Sequence, residues 1–178
     1  MNQLGFYLLL LVLVIFFIIL GSFAFGGILA APWVPVRRRD IKRILDVAKI
    51  KKGDILYDLG CGDGRIVISA ARYYNIAATG YEVAVLPFLY TWIKIKLLRL
   101  SDRAAIKMAN FYEHDIGGAN IIFTFLSPRA MEKLKNKFKK ELKSGSLVVS
   151  YVFKIPGWEP LEVNRPQPTD LPIFVYKI

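Results

Sequence analysis

The chain has one cysteine, Cys61, and one histidine, His114, in 178 residues. That excludes an internal disulfide and a cysteine-rich zinc site, and no metal centre is expected. His114 stands between Glu113 and Asp115 and is expected to be a loop residue. Charge is absent altogether from residues 1–36, which hold no Asp, Glu, Lys or Arg. Acids are scarce beyond them: 14 Asp and Glu face 25 Lys and Arg, and the net charge of +11 falls entirely on residues 37–178. That length suffices for one α/β domain with a real core and not for two. The basicity permits acidic lipid, nucleic acid or an acidic protein as partner and does not choose among them. No internal repeat and no disordered tail is visible.

What fills the uncharged stretch is an almost wholly apolar run from Leu4 to Ala31. As a helix rising ~1.5 Å per residue it spans ~42 Å, more than the ~30 Å hydrocarbon core of a bilayer. Lipid offers no partners to backbone amides, so such a segment must be helical. Gly21, Gly26 and Gly27 are places for a bend or an early end, and Tyr7 and Trp33 sit near the two ends, where amphipathic rings favour the interface. A cleaved signal peptide has a basic start and an apolar stretch of ~7–15 residues; this run has neither feature, so an anchor is expected. Eight of the sixteen residues from Arg37 to Lys52 are basic. The expectation is a single-pass membrane protein with its domain on the cytoplasmic side and a basic juxtamembrane patch resting on anionic lipid. Residues 1–31 form the anchor, 32–52 a basic linker and first helix, and 53–178 the domain.

The most informative stretch of that domain is Asp58-Leu59-Gly60-Cys61-Gly62-Asp63-Gly64. It follows the apolar Ile55-Leu56-Tyr57 and precedes the helical pattern Ile66 to Ala71. Strand, glycine-rich turn and helix is the layout of a nucleotide-binding crossover. Two details separate it from a dehydrogenase loop. The acid Asp58 stands just ahead of the first glycine, and Arg65 occupies the third-glycine slot of G-x-G-x-x-G. A pyrophosphate needs a bare helix N-terminus. A carboxylate suits a cation instead, and S-adenosylmethionine carries both an ammonium and a sulfonium. Glu82 ends a second strand, Ala77 to Tyr81, where an acid can accept both hydroxyls of a ribose. Cys61, inside the loop, is a small residue chosen for fit rather than a nucleophile.

The rest alternates. Ile41, Ile44, Leu45 and Ala48 share one face of a helix from Arg38 to Ala48. Leu86 to Leu100 is an apolar and aromatic helix with Lys94, Lys96 and Arg99 spaced through it, and Ala104 to Met108 is a weak strand. Asn120 to Leu126 is a buried strand, and Ser127-Pro128 caps a helix whose core stripe is Met131, Leu134, Phe138 and Leu142. Its many lysines read as a solvated face, because no aromatics interleave with them as a nucleic-acid surface requires. Ser146 to Phe153 is a fifth strand, and Trp158 to Val163 pairs with Pro172 to Tyr176. The pattern predicts an α/β fold: a mostly parallel Rossmann-like sheet with helices on both faces and an antiparallel closing pair.

These pieces resemble the class I S-adenosylmethionine-dependent methyltransferases. More narrowly they are similar to the membrane-anchored family that includes the ATP synthase c-subunit lysine methyltransferases and its prokaryotic relatives. Pro32-Trp33-Val34-Pro35-Val36, Tyr57 to Val67, Gly80-Tyr81-Glu82, Asn110-Phe111-Tyr112, Phe123 to Pro128, and Val148-Val149-Ser150 through Pro156-Gly157-Trp158 follow in that family's order. The resemblance implies a cofactor site of Asp58, Gly60, Cys61, Gly62, Asp63, Gly64, Glu82, Asn110 and Phe111. It implies S-adenosylmethionine as cofactor and a lysine amine as acceptor. Asn110 replaces an acid of the animal members and can still bond an adenine amine through its carbonyl. Ser127-Pro128-Arg129 departs from them beside the transferred methyl, which leaves the acceptor protein open. Leu126-Ser127-Pro128-Arg129 stands where relatives that methylate base amines or glutamine carry an (Asp/Asn)-Pro-Pro-aromatic tetrad, which argues against a base-modifying enzyme and leaves ribosomal and other protein targets open. A lysine amine titrates near ~10.4 and must be neutral to accept a methyl, so an apolar channel is expected. Phe125, Ser127 and Trp158 are the candidates for it, with Phe111 and Tyr112 nearby, and no general base is evident. A lipid-borne or other small-molecule acceptor and a non-catalytic tethered adapter are the alternatives.

Overall fold

The computed structural model describes residues 3–29 and 34–178. The apolar run forms one helix, α1 (Gln3–Leu29), unbroken at its glycines. Of it, Gln3–Ile28 is long and apolar enough to cross a membrane. Ala30, Ala31, Pro32 and Trp33, expected to end the anchor and open the linker, lie outside the described residues.

The next helix, α2 (Arg38–Val47), is amphipathic, and Ile44, Leu45 and Ala48 enter the main core. A buried acid, Asp40, accepts hydrogen bonds from Tyr151 Oη at 2.6 Å and from Arg43 at 3.1 Å. Arg43 in turn donates to Asn164 and to the Leu171 carbonyl, so α2 is latched to the far strands of the sheet.

Chain order then runs β1 (Ile55–Leu59), α3 (Arg65–Tyr73), β2 (Ala77–Glu82), α4 (Val85–Leu97) and β3 (Ala104–Met108). It continues with β4 (Ile121–Thr124), α5 (Pro128–Glu141), β5 (Leu147–Tyr151), β6 (Glu162–Asn164) and β7 (Ile173–Lys177). One seven-stranded sheet has the order β3-β2-β1-β4-β5-β7-β6. Strands β1 to β5 pair in parallel, and β7 runs antiparallel between β5 and β6. This is the expected mostly parallel sheet with an antiparallel closing pair. The reversal of strand order between β1 and β4 opens a crevice at the carboxyl ends of the strands.

The two faces are covered differently. Helices α2, α3 and α4 pack on one, around Ile66, Val67, Ala70 and Ile95. On the other, α5 supplies Met131, Leu134 and Phe138, the predicted stripe. Between β3 and β4 no helix forms; a loop covers that part of the face with Phe111, Ile116 and Ala119. Expected strands are shorter than the apolar runs: β4 stops at Thr124, and Phe125 and Leu126 leave the sheet at the crevice.

Candidate active site

The register of the central strands brings the two acids together. Asp58 on β1 lies opposite Gly80 on β2 and Phe123 on β4. Glu82 ends β2, one strand over. Both carboxylates are buried, Asp58 at 2% and Glu82 at 8% exposure. They line one cleft with Gly60, Cys61, Gly62, Asp63, Phe111, Phe125 and Leu126.

Glu82 organises the loop. One oxygen accepts from the Gly62 amide at 2.8 Å, and the other accepts from Val83 and Ala84, both at 2.8 Å. The loop itself turns through glycines with positive φ at 60, 62 and 64. At Gly64 a Cβ would lie 2.3 Å from the Thr91 methyl on α4. Thr91, not singled out from the sequence, also donates to the Gly62 carbonyl at 3.0 Å. Gly80 is a second unforeseen requirement: a Cβ there would lie 2.4 Å from Cys61 Sγ. Burial pushes the Cys61 thiol well up, and the Asp58 and Glu82 charges add to it. A thiol raised in this way is a poor nucleophile, and it packs closely on Gly80.

Arg65, in the third-glycine slot, begins α3 and turns back on Asp63, with Nη2 2.6 Å from its carboxylate. It also donates to the Val36 carbonyl, tying the loop to the linker. Burial would raise the Asp63 carboxyl, but the Arg65 hydrogen bonds and charge outweigh it and hold the group low.

Asp58 is the opposite case. Burial pushes its carboxyl well above the usual range, and the Glu82 and Asp63 charges push the same way. An opposite charge brought beside it would favour its ionised form. Because the folded state binds this proton more tightly than the unfolded chain, its contribution to stability is complete below about pH 4. It is lost as pH rises through the raised value. Moderate acidification of the ligand-free protein should therefore raise its Tm, until near about pH 4 the unfolded chain begins to protonate Asp63, which the fold holds low. Asp58→Asn should flatten that rise. Melting curves over pH check this, and identical profiles for the two proteins would contradict it.

The remaining expected site residues are spread more widely. Phe125 reaches the cleft and packs on Tyr151, with ring centres 4.9 Å apart. Ser127 caps α5 by accepting from the Ala130 amide at 3.3 Å. Trp158 packs beside α5, its ring 6.5 Å from Phe138 and 6.1 Å from Tyr176. Neither Ser127 nor Trp158 lines the cleft among the described residues. Asn110 holds its own turn, donating to Glu113 and accepting from the Tyr112 amide, while Phe111 beside it faces the cleft. His114 is exposed in the loop after β3, as expected.

Phe23, Gly26 and Gly27 of α1 and Val34, Pro35 and Val36 stand over the cleft. As it stands it encloses about 80 Å³. A larger groove of about 740 Å³ between α2, α3 and α4 contains neither Asp58 nor Glu82. Several of its polar groups are already paired: Lys42 and Tyr74 with Asp46, and Arg65 with Asp63.

The comparisons with known proteins agree with this geometry. The family model of the ANTKMT methyltransferase domain matches residues 58–162. A protein-lysine N-methyltransferase of Saccharolobus islandicus is 40% identical over 82% of this chain and 91% of its own length. The ATP synthase c-subunit lysine N-methyltransferase of Rattus norvegicus is 30% identical over 72% of the chain. The match spans only 59% of that relative's length. Among solved structures, an RNA methyltransferase of Salinibacter ruber in complex with S-adenosyl-L-homocysteine superposes with a TM-score of 0.78. It is 29% identical, over 82% of this chain and 94% of that one.

Proposed function

We propose, for a chain that belongs to the ANTKMT methyltransferase domain family and is an S-adenosylmethionine-dependent methyltransferase, that it N-methylates lysine on a membrane-associated protein. The observation that carries the lysine reading is the closure of Asp58, the glycine loop and Glu82 around one cleft in a chain whose relatives methylate lysine. The membrane reading rests on α1, whose last turns stand over that cleft. The basic stretch from Arg37 to Lys52 would keep the domain on the cytoplasmic side.

The residues fit the cofactor. The buried Asp58 carboxylate would supply negative charge for its cationic amino-acid end, and a cation arriving there would favour the ionised form. Glu82 stands where a ribose diol would donate. The positive-φ glycines let backbone come close where a Cβ would intrude. Phe111 offers an apolar wall, and Asn110 is the proposed partner of the adenine edge. The bound cofactor supplies a methyl group on a sulfonium, which passes to the lone pair of a neutral amine as the carbon–sulfur bond breaks. The protein's part is positioning and drying. Phe125 and its aromatic neighbours disfavour the ammonium and so present the amine unprotonated.

Two substitutions should therefore behave differently. Phe125→Ala should lower kcat much more than cofactor affinity. Trp158→Ala should lower Tm through lost packing on Phe138 and Tyr176, with little change in turnover per folded molecule. Steady-state rates beside calorimetric titration separate the two. Equal losses of kcat in both variants would place the channel elsewhere.

The acceptor itself is tested by giving the full chain radiolabelled S-adenosylmethionine and membranes, then sorting label into protein, lipid and RNA. Label in protein, mapped to lysine by mass spectrometry, supports the proposal. Label confined to lipid or RNA overturns the lysine reading and leaves the methyltransferase in place. A reporter fused after Ile178 should behave as cytoplasmic, and a mature N-terminus beyond Ala31 would show a cleaved signal instead.

A further inference from the structure

Helix α4 is apolar on two opposite faces, and the domain covers only one of them. Pro87, Thr91 and Ile95 point into the fold and are buried. At 100° per residue, Leu86, Leu89, Tyr90, Ile93 and Leu97 fall on the other side, with Trp92 at its flank and one charge, Lys96, near the helix end between them. The six apolar residues are exposed, from 42% at Leu89 to 78% at Leu97. A helix with apolar residues on both faces belongs in an apolar surrounding on both sides. A contiguous apolar face of this kind on a domain surface marks a contact.

We infer that the outer face of α4 lies on the lipid bilayer beside α1, so that the methyltransferase cleft opens at the membrane surface. This rests on the proposed anchoring of the chain through α1. Three observations identify lipid as what covers the face. The first is continuity. The Val85 amide, at the start of α4, donates to Ser22 Oγ of α1 at 3.3 Å, and Phe23 of α1 shares a surface depression with Leu86, Pro87 and Tyr90, with Asp63, paired to Arg65, at its edge. The apolar surface of α1 thus runs on directly into that of α4.

The second is length. A ~30 Å hydrocarbon slab takes about 20 residues of helix. Counted from Leu4, about 20 residues end at Phe23, the residue that touches the α4 depression. The half-buried residues of α1 beyond its first turn, Ile19, Ser22, Phe23, Gly26 and Gly27, all belong to its last turns. A spanning α1 therefore brings the start of α4 to the hydrocarbon boundary and leaves no polar spacer between domain and lipid.

The third is charge. Lys94 and Lys96 lie in the last turns of α4, and Arg99 follows it. Arg38 and Lys94 also rim the groove between α2 and α4. Long basic side chains bordering an apolar face are the arrangement of an interfacial helix on anionic lipid.

Depth measurements on the full chain test this. Nitroxide labels are placed on Leu89→Cys and Ile93→Cys in α4, on Val12→Cys in α1 as lipid reference, and on Lys140→Cys in α5 as water reference. The native Cys61 is buried and out of reach of the label. The protein is reconstituted in vesicles of phosphatidylcholine and phosphatidylglycerol. Collision with oxygen should dominate at 12, 89 and 93, and collision with a water-soluble nickel complex should dominate at 140. In the unlabelled protein, brominated lipid should quench Trp92 emission, so Trp92→Phe should reduce the quenching to what Trp33, expected at the interface, contributes. Nickel access at 89 and 93 equal to that at 140, with 12 still in lipid, overturns the inference and leaves the anchor standing. Nickel access at 12 as well overturns the anchoring reading beneath it. Labels at 89 and 93 shielded from both reagents, with spin–spin broadening, would show a second copy of the chain on α4 in place of lipid.

Discussion

Glu82→Ala is expected to lose S-adenosylmethionine affinity by on the order of 100-fold, and to do so for a reason beyond the ribose. In the folded protein the Glu82 carboxylate takes three backbone amides, those of Gly62, Val83 and Ala84. Each buried donor left without an acceptor costs about 1–3 kcal/mol, and the missing diol acceptor adds to that. Some of the cost is relieved when the ligand-free loop relaxes, and binding must then re-form the loop. A net penalty of about 3 kcal/mol, or about 100-fold, is the result. Glu82→Gln keeps one acceptor oxygen but turns an amide NH₂ toward backbone donors, and should fall between wild type and Glu82→Ala. Calorimetric titration of the three proteins provides the measurement. Affinities within about threefold of one another, under 1 kcal/mol, would remove Glu82 from the site.

Gly64→Ala should cost about 3 kcal/mol of stability and lower Tm by on the order of 10 °C. Two penalties combine there. The residue sits at φ 68°, a left-handed conformation that disfavours a side chain, and its Cβ would lie 2.3 Å from the Thr91 methyl. Thr91→Ala alone loses the hydrogen bond to the Gly62 carbonyl and should cost about 1–2 kcal/mol. In the double variant the 2.3 Å contact is gone, leaving the residue 91 Cβ at 3.2 Å, and the two costs should fall short of their sum by about 1 kcal/mol or more. Thermal melts of the four proteins in one detergent measure the coupling. Simple additivity would show that Thr91 does not brace the loop.

The proposed membrane-proximal placement would give the anchor a role in selecting acceptors. A domain held against lipid meets membrane targets at high effective concentration without any added contact. Its many lysines add a general attraction for acidic surroundings.

Sequence alone determined whatever depended on neighbours along the chain. The charge-free run could only be a helix, and it forms α1. Alternation of apolar strands with amphipathic helices set the sheet, and the core stripe of α5 followed from helical spacing. The glycine loop was legible because its residue types answer to backbone conformation, a local property. Contacts between distant segments were not legible, since nothing in a spacing reports them. Thr91 and Gly80 matter to the loop only because α4 and β2 pack beside it. Nothing in the sequence marks Asp40, on a basic helix, as buried against Tyr151, 111 residues away. Trp158 and Phe125 were alike as aromatic residues, and the fold put one against α5 and the other in the cleft. The same holds for α4. Its composition announced an apolar helix, but only packing decided which face met the core and which was left beside α1, because burial is settled by what the fold brings near and not by the residue itself.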